Sequence, residues 1–176
     1  LLTNAGTNIT GANLINLSQG GILEAAGSLT LDGFSTGSST ILKINTDTTI
    51  TRNSPFTVGS ALLAGNTLTL GSATTDLTIE NSAPAEGESA GTFKMQEADL
   101  SWTGPVNFNT AKVSSTGGTL TLAGESVLSS SGSIDLSNGS TLELKGSFNQ
   151  SGGELSAVNT TIQVTGDYSK TGGDLS

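Results

Sequence analysis

Apolar residues in this chain arrive in short pulses at alternate positions. Leu29 and Leu31, Leu68 and Leu70, Leu77 and Ile79, Leu120 and Leu122, Ile134 and Leu136, and Leu142 and Leu144 each flank one polar residue. A period of two sends successive side chains to opposite faces, so each pulse predicts a short strand. Gly, Asn and Ser punctuate the intervals, as turns require. Phe93 with Met95, Leu100 with Trp102, and Val106 with Phe108 predict three further strands.

The pulses also repeat at longer range. Thr141-Leu142-Glu143-Leu144-Lys145-Gly146-Ser147-Phe148 returns further along as Thr161-Ile162-Gln163-Val164-Thr165-Gly166-Asp167-Tyr168. The alignment continues without a gap through Gly152-Gly153-Glu154-Leu155 and Gly172-Gly173-Asp174-Leu175. Every apolar position keeps its class and every glycine is retained, while the polar positions between them vary. The kernel preceding this pair starts at Leu120, a slightly longer step from Leu142 than Leu142 is from Ile162. Three short strands and their turns fill a circuit of about 20–22 residues, which is one coil of a solenoid. The predicted fold is therefore all-β: a right-handed parallel β-helix of three-strand coils, roughly eight rungs and about 40 Å long at a strand spacing of about 4.8 Å. Antiparallel hairpins do not explain why the same side-chain class returns after each three-strand circuit. A single coil buries too few apolar side chains to offset the entropy of ordering its backbone, so coils must stack on one another.

Position within the coil assigns roles. Thr141, Glu143, Thr161 and Gln163 point outward, and Phe148 and Tyr168 form an internal aromatic ladder. Gly146, Gly166 and the pairs Gly152-Gly153 and Gly172-Gly173 mark corners with tight or left-handed turns. An irregular insertion interrupts the rhythm near 80–99. Its segment 81–91, with Pro84, Glu86 and Glu88 and no apolar pulse, predicts an extruded loop. Arg52-Asn53-Ser54-Pro55 predicts a smaller turn. No linker composition appears, so residues 1–176 form a single β-helix segment. The pattern begins and stops partway through a coil, which predicts a piece of a longer chain.

Composition fits a thin core. Ser, Thr and Gly fill 76 of the 176 positions, leaving too few large apolar residues for a thick multilayer interior. Cys and His are both absent, which removes disulfides, thiol or imidazole catalysis and Cys- or His-ligated metal. The net charge of −9 argues against nucleic-acid binding through a basic surface. No apolar run approaches the roughly 20 residues needed to span a bilayer, so this segment is not expected to insert in a membrane.

At the Leu-x-Leu-x-Gly kernel and the Gly-Gly-x-Leu turn, the sequence resembles the β-helical shafts of secreted bacterial adhesins, of filamentous-haemagglutinin-like proteins and autotransporter passenger domains. The resemblance is clearest over 117–176 and rests on repeat style. The chain departs from those families in lacking an Asn-Pro-Asn motif, a Gly-Gly-x-Gly-x-Asp calcium repeat and Arg-Gly-Asp. The resemblance implies a secreted, outer membrane-associated surface protein. It also implies a stalk that presents or forms an adhesive surface, facing a host or neighbouring cell through protein or glycan. Asn8, Asn16, Asn138, Asn149 and Asn159 open Asn-x-Ser/Thr tripeptides, which some adhesins of this type glycosylate.

Candidate chemistry is sparse. Glu154 and Asp174 should stack one coil apart, at a separation near that of a retaining glycosidase, yet each follows a glycine pair like any solvated turn residue. Two carboxylates are also few for calcium, which takes six to eight oxygens. Arg52, the only arginine, has Asp47 as its nearest acid in sequence, which is thin support for lyase chemistry. Ranks of outward Thr could match ice, but Glu143 and Gln163 break them. Glu86, Glu88, Glu97 and Asp99 near Trp102 make the best recognition strip, since an aromatic among carboxylates suits a sugar subsite. The competing reading puts Trp102 in the core. The expected function is a non-enzymatic stalk without cofactor or metal. A carbohydrate-binding or polysaccharide-cleaving β-helix is the first alternative. A fibre subunit self-associating through the solenoid ends is the second.

Overall fold

The structure is a computed structural model that describes residues 15–80 and 91–176. Among the described residues there are nineteen strands and no helix. Every strand pairing is parallel, with each strand bonded to its counterpart one circuit away. The result is a parallel β-helix of about seven turns. The loop expected over 81–91 lies, except for Gly91, outside the described residues.

Three faces make up each coil. The first is crossed at Ile15–Asn16, Phe34–Ser35, Phe56–Val58, Leu77–Ile79, Leu100–Trp102, Thr119–Leu122, Thr141–Leu144 and Thr161–Val164. Its last six strands form one continuous sheet. The second and third faces merge into a single sheet of eleven strands on its main and side paths. They merge because Gly21–Thr30, Thr40–Thr51, Phe148–Ala157 and Tyr168–Leu175 pass through the corner without losing strand geometry.

Register puts like on like. Leu77, Leu100, Leu120, Leu142 and Ile162 occupy one column of the first face, and Ile79, Trp102, Leu122, Leu144 and Val164 occupy the next inward one. Between them run the outward residues Thr57, Thr78, Ser101, Thr121, Glu143 and Gln163. Alternation along each strand thus becomes a filled core column and a polar outer column. Leu142, Leu144, Phe148 and Leu155 are almost completely buried. Ile162, Val164, Tyr168 and Leu175 are paired on one side only and stay 39–51% exposed. Phe148 stacks on Tyr168 with ring centroids 5.8 Å apart and planes at 14°.

The corner after the first face is a glycine column. A methyl group at Gly124, Gly146 or Gly166 would overlap the carbonyl of Gly104, Gly124 or Gly146 respectively, one coil below. Close backbone approach, more than backbone flexibility, fixes glycine there. The Gly-Gly pairs behave differently. Gly153 and Gly173 are left-handed, with φ of 67° and 74°, and they bend a strand that continues past them with a shift in register.

Circuit length is not constant. The step from Leu142 to its partner Ile162 is shorter than that from Leu77 to Leu100, and the step from Thr67 to Thr92 is longer than either. That longest interval contains the segment 81–90, and the strands on either side of it keep their columns.

Candidate functional site

The recognition strip read from the sequence separates into distinct environments. Glu86 and Glu88 lie outside the described residues. Trp102 is 3% exposed, so it offers no ring to a ligand at the surface. It stands edge-on between Phe93 and Phe108, at centroid distances of 5.0 and 5.4 Å and interplanar angles of 82° and 88°. This arrangement suits aromatic quadrupoles. The three rings come from three different faces and fill the interior together. Trp102 therefore belongs to the core, the alternative weighed from the sequence.

Asp99 has a bracing role. Its Oδ1 accepts the Thr119 backbone N–H at 2.6 Å, and its own N–H donates to Asp76 Oδ1 at 2.9 Å. Asp47 does the same for the Thr67 N–H at 2.7 Å. Asp32 takes both the N–H and the side-chain amide of Asn53, each at 2.8 Å. Each acid thus joins one coil to the next at a corner, where the ladder would otherwise leave a donor unpaired. Of the acids weighed from the sequence, Asp47 and Asp99 thus brace neighbouring coils. No periodicity signals this role, because each acceptor finds its donor one circuit away in the chain.

Glu97 is exposed and lines a shallow polar hollow with Ser72, Gln96 and Thr116. The structure does not bring Glu97, Asp99 and Trp102 together into one surface.

Glu154 and Asp174 do occupy one register column, together with Lys112 and Ser133. A cavity of about 360 Å³ opens beside them, lined by Lys112, Ser133, Glu154 and Asp174 among others. Neighbouring strands of a sheet stand about 4.8 Å apart, so Glu154 and Asp174 are one strand spacing apart, and Ser133 stands between Glu154 and Lys112. Among the described residues, no group of three or more acids is placed to hold a metal ion.

Two outward carboxylates are tuned by their neighbours. Glu143 is held below its ordinary range first by the hydrogen bond from Lys145 and then by that from Thr121. The distances are 2.7 Å to Lys145 Nζ and 2.9 Å from Thr121 Oγ1. Glu24 is lowered in the same way by Lys43 at 2.8 Å. Both pairs tie adjacent strands or neighbouring positions on an open face.

Polar side chains inside the solenoid went unread in the sequence. Gln150 is fully buried: its Nε2 donates to Asp174 O at 2.7 Å and its Oε1 accepts from Tyr168 Oη at 3.1 Å. Ser140 is also buried, donating to Ser137 O at 2.6 Å beside Ser115 Oγ. For Gln150 the available signal was spacing from Phe148, since a residue two positions on must share its face. Asn16, Asn138, Asn149 and Asn159 are all at least partly exposed, and Asn8 lies outside the described residues.

Arg52 faces a different acid from the one nearest in sequence. Asp47 is engaged with Thr67, and the carboxylate acting on Arg52 is that of Asp32, one coil away. No protein-family model, curated protein or solved structure matches this chain.

Proposed function

We propose that this chain is a non-enzymatic structural segment: a stiff β-helical stalk of a secreted bacterial surface protein, holding or presenting adhesive parts away from the cell. The observation that carries the reading is the first face. Its strands hydrogen-bond without interruption from Phe56–Val58 to Thr161–Val164. Bending such a rod means breaking backbone ladders and opening a dry core at once, so length is held rigidly. The Ser, Thr, Asn and acidic coat keeps it hydrated, and the resemblance to adhesin shafts supplies the setting at the outer surface of a bacterium. Partners of the assembled protein are then host or neighbouring cells, met through protein or glycan.

The stalk reading predicts that inserting one copy of residues 142–161 after Thr161 lengthens the particle by about 4.8 Å, measured by small-angle scattering, and leaves its cross-section unchanged. A change in cross-section without added length would contradict it.

One observation favours a second reading, a polysaccharide-cleaving β-helix: the Glu154–Asp174 column, with Lys112 in the lining of the same cavity. A polysaccharide panel scored for new reducing ends or unsaturated sugars decides between the two. The stalk produces neither. Release that disappears in Glu154→Gln would establish the enzyme.

A further inference from the structure

We propose that the corner at Arg52 is a binding site for a small monocarboxylate, a role independent of the stalk. Arg52 is 6% exposed, and its Nε and Nη1 are buried without a hydrogen-bond partner. Its guanidinium carbon lies 5.1 Å over the ring of Phe56. Burial pushes its pKa down, and the Asp32 charge partly restores it.

The backbone around this side chain is anchored on both sides. Arg52 N–H donates to Thr75 Oγ1 at 2.9 Å, and Arg52 O accepts from Thr74 Oγ1 at 2.8 Å and from the Ser72 and Thr75 hydroxyls. From the preceding coil, Asp32 grips Asn53. The turn is therefore fixed, while the guanidinium rests on an aromatic face with two donors unmet. Arg52 lines a cavity of about 350 Å³ whose wall also includes Asp32, Phe34, Ser54, Phe56 and Thr57.

These features select a ligand class. A carboxylate bridges either the Nε–Nη2 edge or the two Nη groups of a planar guanidinium, and each of those pairs contains one of the unmet donors of Arg52. Asp32 already accepts from Asn53 on both of its oxygens, and it makes no ion pair with Arg52. Its negative charge stays close and offsets that of Arg52 for an approaching anion, so a dianion such as sulfate gains little from its second charge, and the planar match of carboxylate to guanidinium decides. Phe34 and Phe56 are buried behind the wall, whose surface is mainly polar with the hydroxyls of Ser54 and Thr57, a lining that suits a hydroxylated ligand. A carboxylate entering the cavity supplies the acceptors the protein lacks, and the guanidinium turns on the Phe56 face to meet it.

The test is titration of the 176-residue chain with D-glucuronate, acetate, D-glucose and sulfate, followed through the Arg52 Nε–H resonance and by calorimetry. Glucuronate and acetate should both bind and move that resonance, with glucuronate tighter. Glucose and sulfate should leave it in place. Tighter glucuronate assigns a sugar-acid ligand, whereas equal affinities assign a bare carboxylate. Arg52→Lys, which keeps the charge, should weaken glucuronate at least about tenfold through loss of the fork. Asp32→Asn should admit sulfate. The proposal is overturned if neither carboxylate moves the Nε–H signal of the unaltered protein. Sulfate binding as well as acetate would also overturn it, as would glucuronate affinity that survives Arg52→Lys unchanged.

Discussion

Leu144 is 1% exposed between Leu122 and Val164 in its column, while the adjacent Glu143 lies outside between Lys145 and Thr121. Leu144→Asp should destabilise the C-terminal coils by at least about 3 kcal/mol, from lost packing and a buried unpaired charge. Glu143→Lys should leave the denaturation midpoint nearly unchanged, as expected for an exposed ion pair. Denaturation midpoints and amide exchange over 119–164 check this, and equal losses would reverse the assigned faces. Glu143 also carries a pH signature. Its folded pKa is depressed, so its stabilisation is fully present above the ordinary carboxylate range and fades as pH falls through the lower folded value. Glu143→Gln should lack this portion of the acid-side loss, seen by comparing unfolding midpoints at neutral and acid pH. Glycines separate in the same way. Gly146→Ala pushes a methyl into the Gly124 carbonyl and should cost about 3 kcal/mol. Gly139→Ala meets only a left-handed φ of 84° with nothing near its methyl and should cost about 1 kcal/mol. Thermal melts of the two variants give the order. At this scale the sequence showed which side chains alternate inward, because strand period is a local property. Asp99 and Gln150 could not be read the same way, since their partners lie one coil away.

Coils behave as exchangeable units because each pairs only with its neighbours. Removing residues 120–141 joins Thr119 to Leu142 and preserves both columns of the first face and the glycine corner. That shortened chain should keep its β-sheet circular dichroism and a cooperative melt. Removing half that stretch puts inward residues at the corner and should abolish the cooperative transition. The strands and the coil were legible because apolar alternation and the gapless copy at 141–176 are both explicit in the residues. Continuity through the second corner was not. Gly152-Gly153 reads as a turn, yet flanking residues on either side still find ladder partners, so the strand runs on from Phe148 to Ala157. Uneven circuits hid the earlier coils as well, since a repeat searched at fixed spacing misses the longer steps from Leu77 to Leu100 and from Thr67 to Thr92.

The whole molecule follows from one constraint: a chain poor in large apolar residues can enclose a dry interior only by winding narrowly and stacking. Trp102, Phe93 and Phe108 illustrate how that constraint governs site reading. Large aromatics are scarce here and the core claims them first, so an aromatic close to acids in sequence did not make a sugar subsite. The Arg52 corner shows the reverse case, a charged side chain drawn inward without a carboxylate partner. Neither outcome could be read before the coil placed residues a full circuit apart side by side.

The stacking itself is most directly measured by spin-label distances, which the absence of cysteine makes simple. Labels at position 57 paired in turn with 163, 143 and 121, all outward on the first face, are five, four and three coils apart. Backbone separations should step down by one strand spacing each time, about 24, 19 and 14 Å. Steps far larger than one strand spacing per coil, or distances that do not fall in equal steps, would contradict a chain wound about a single axis.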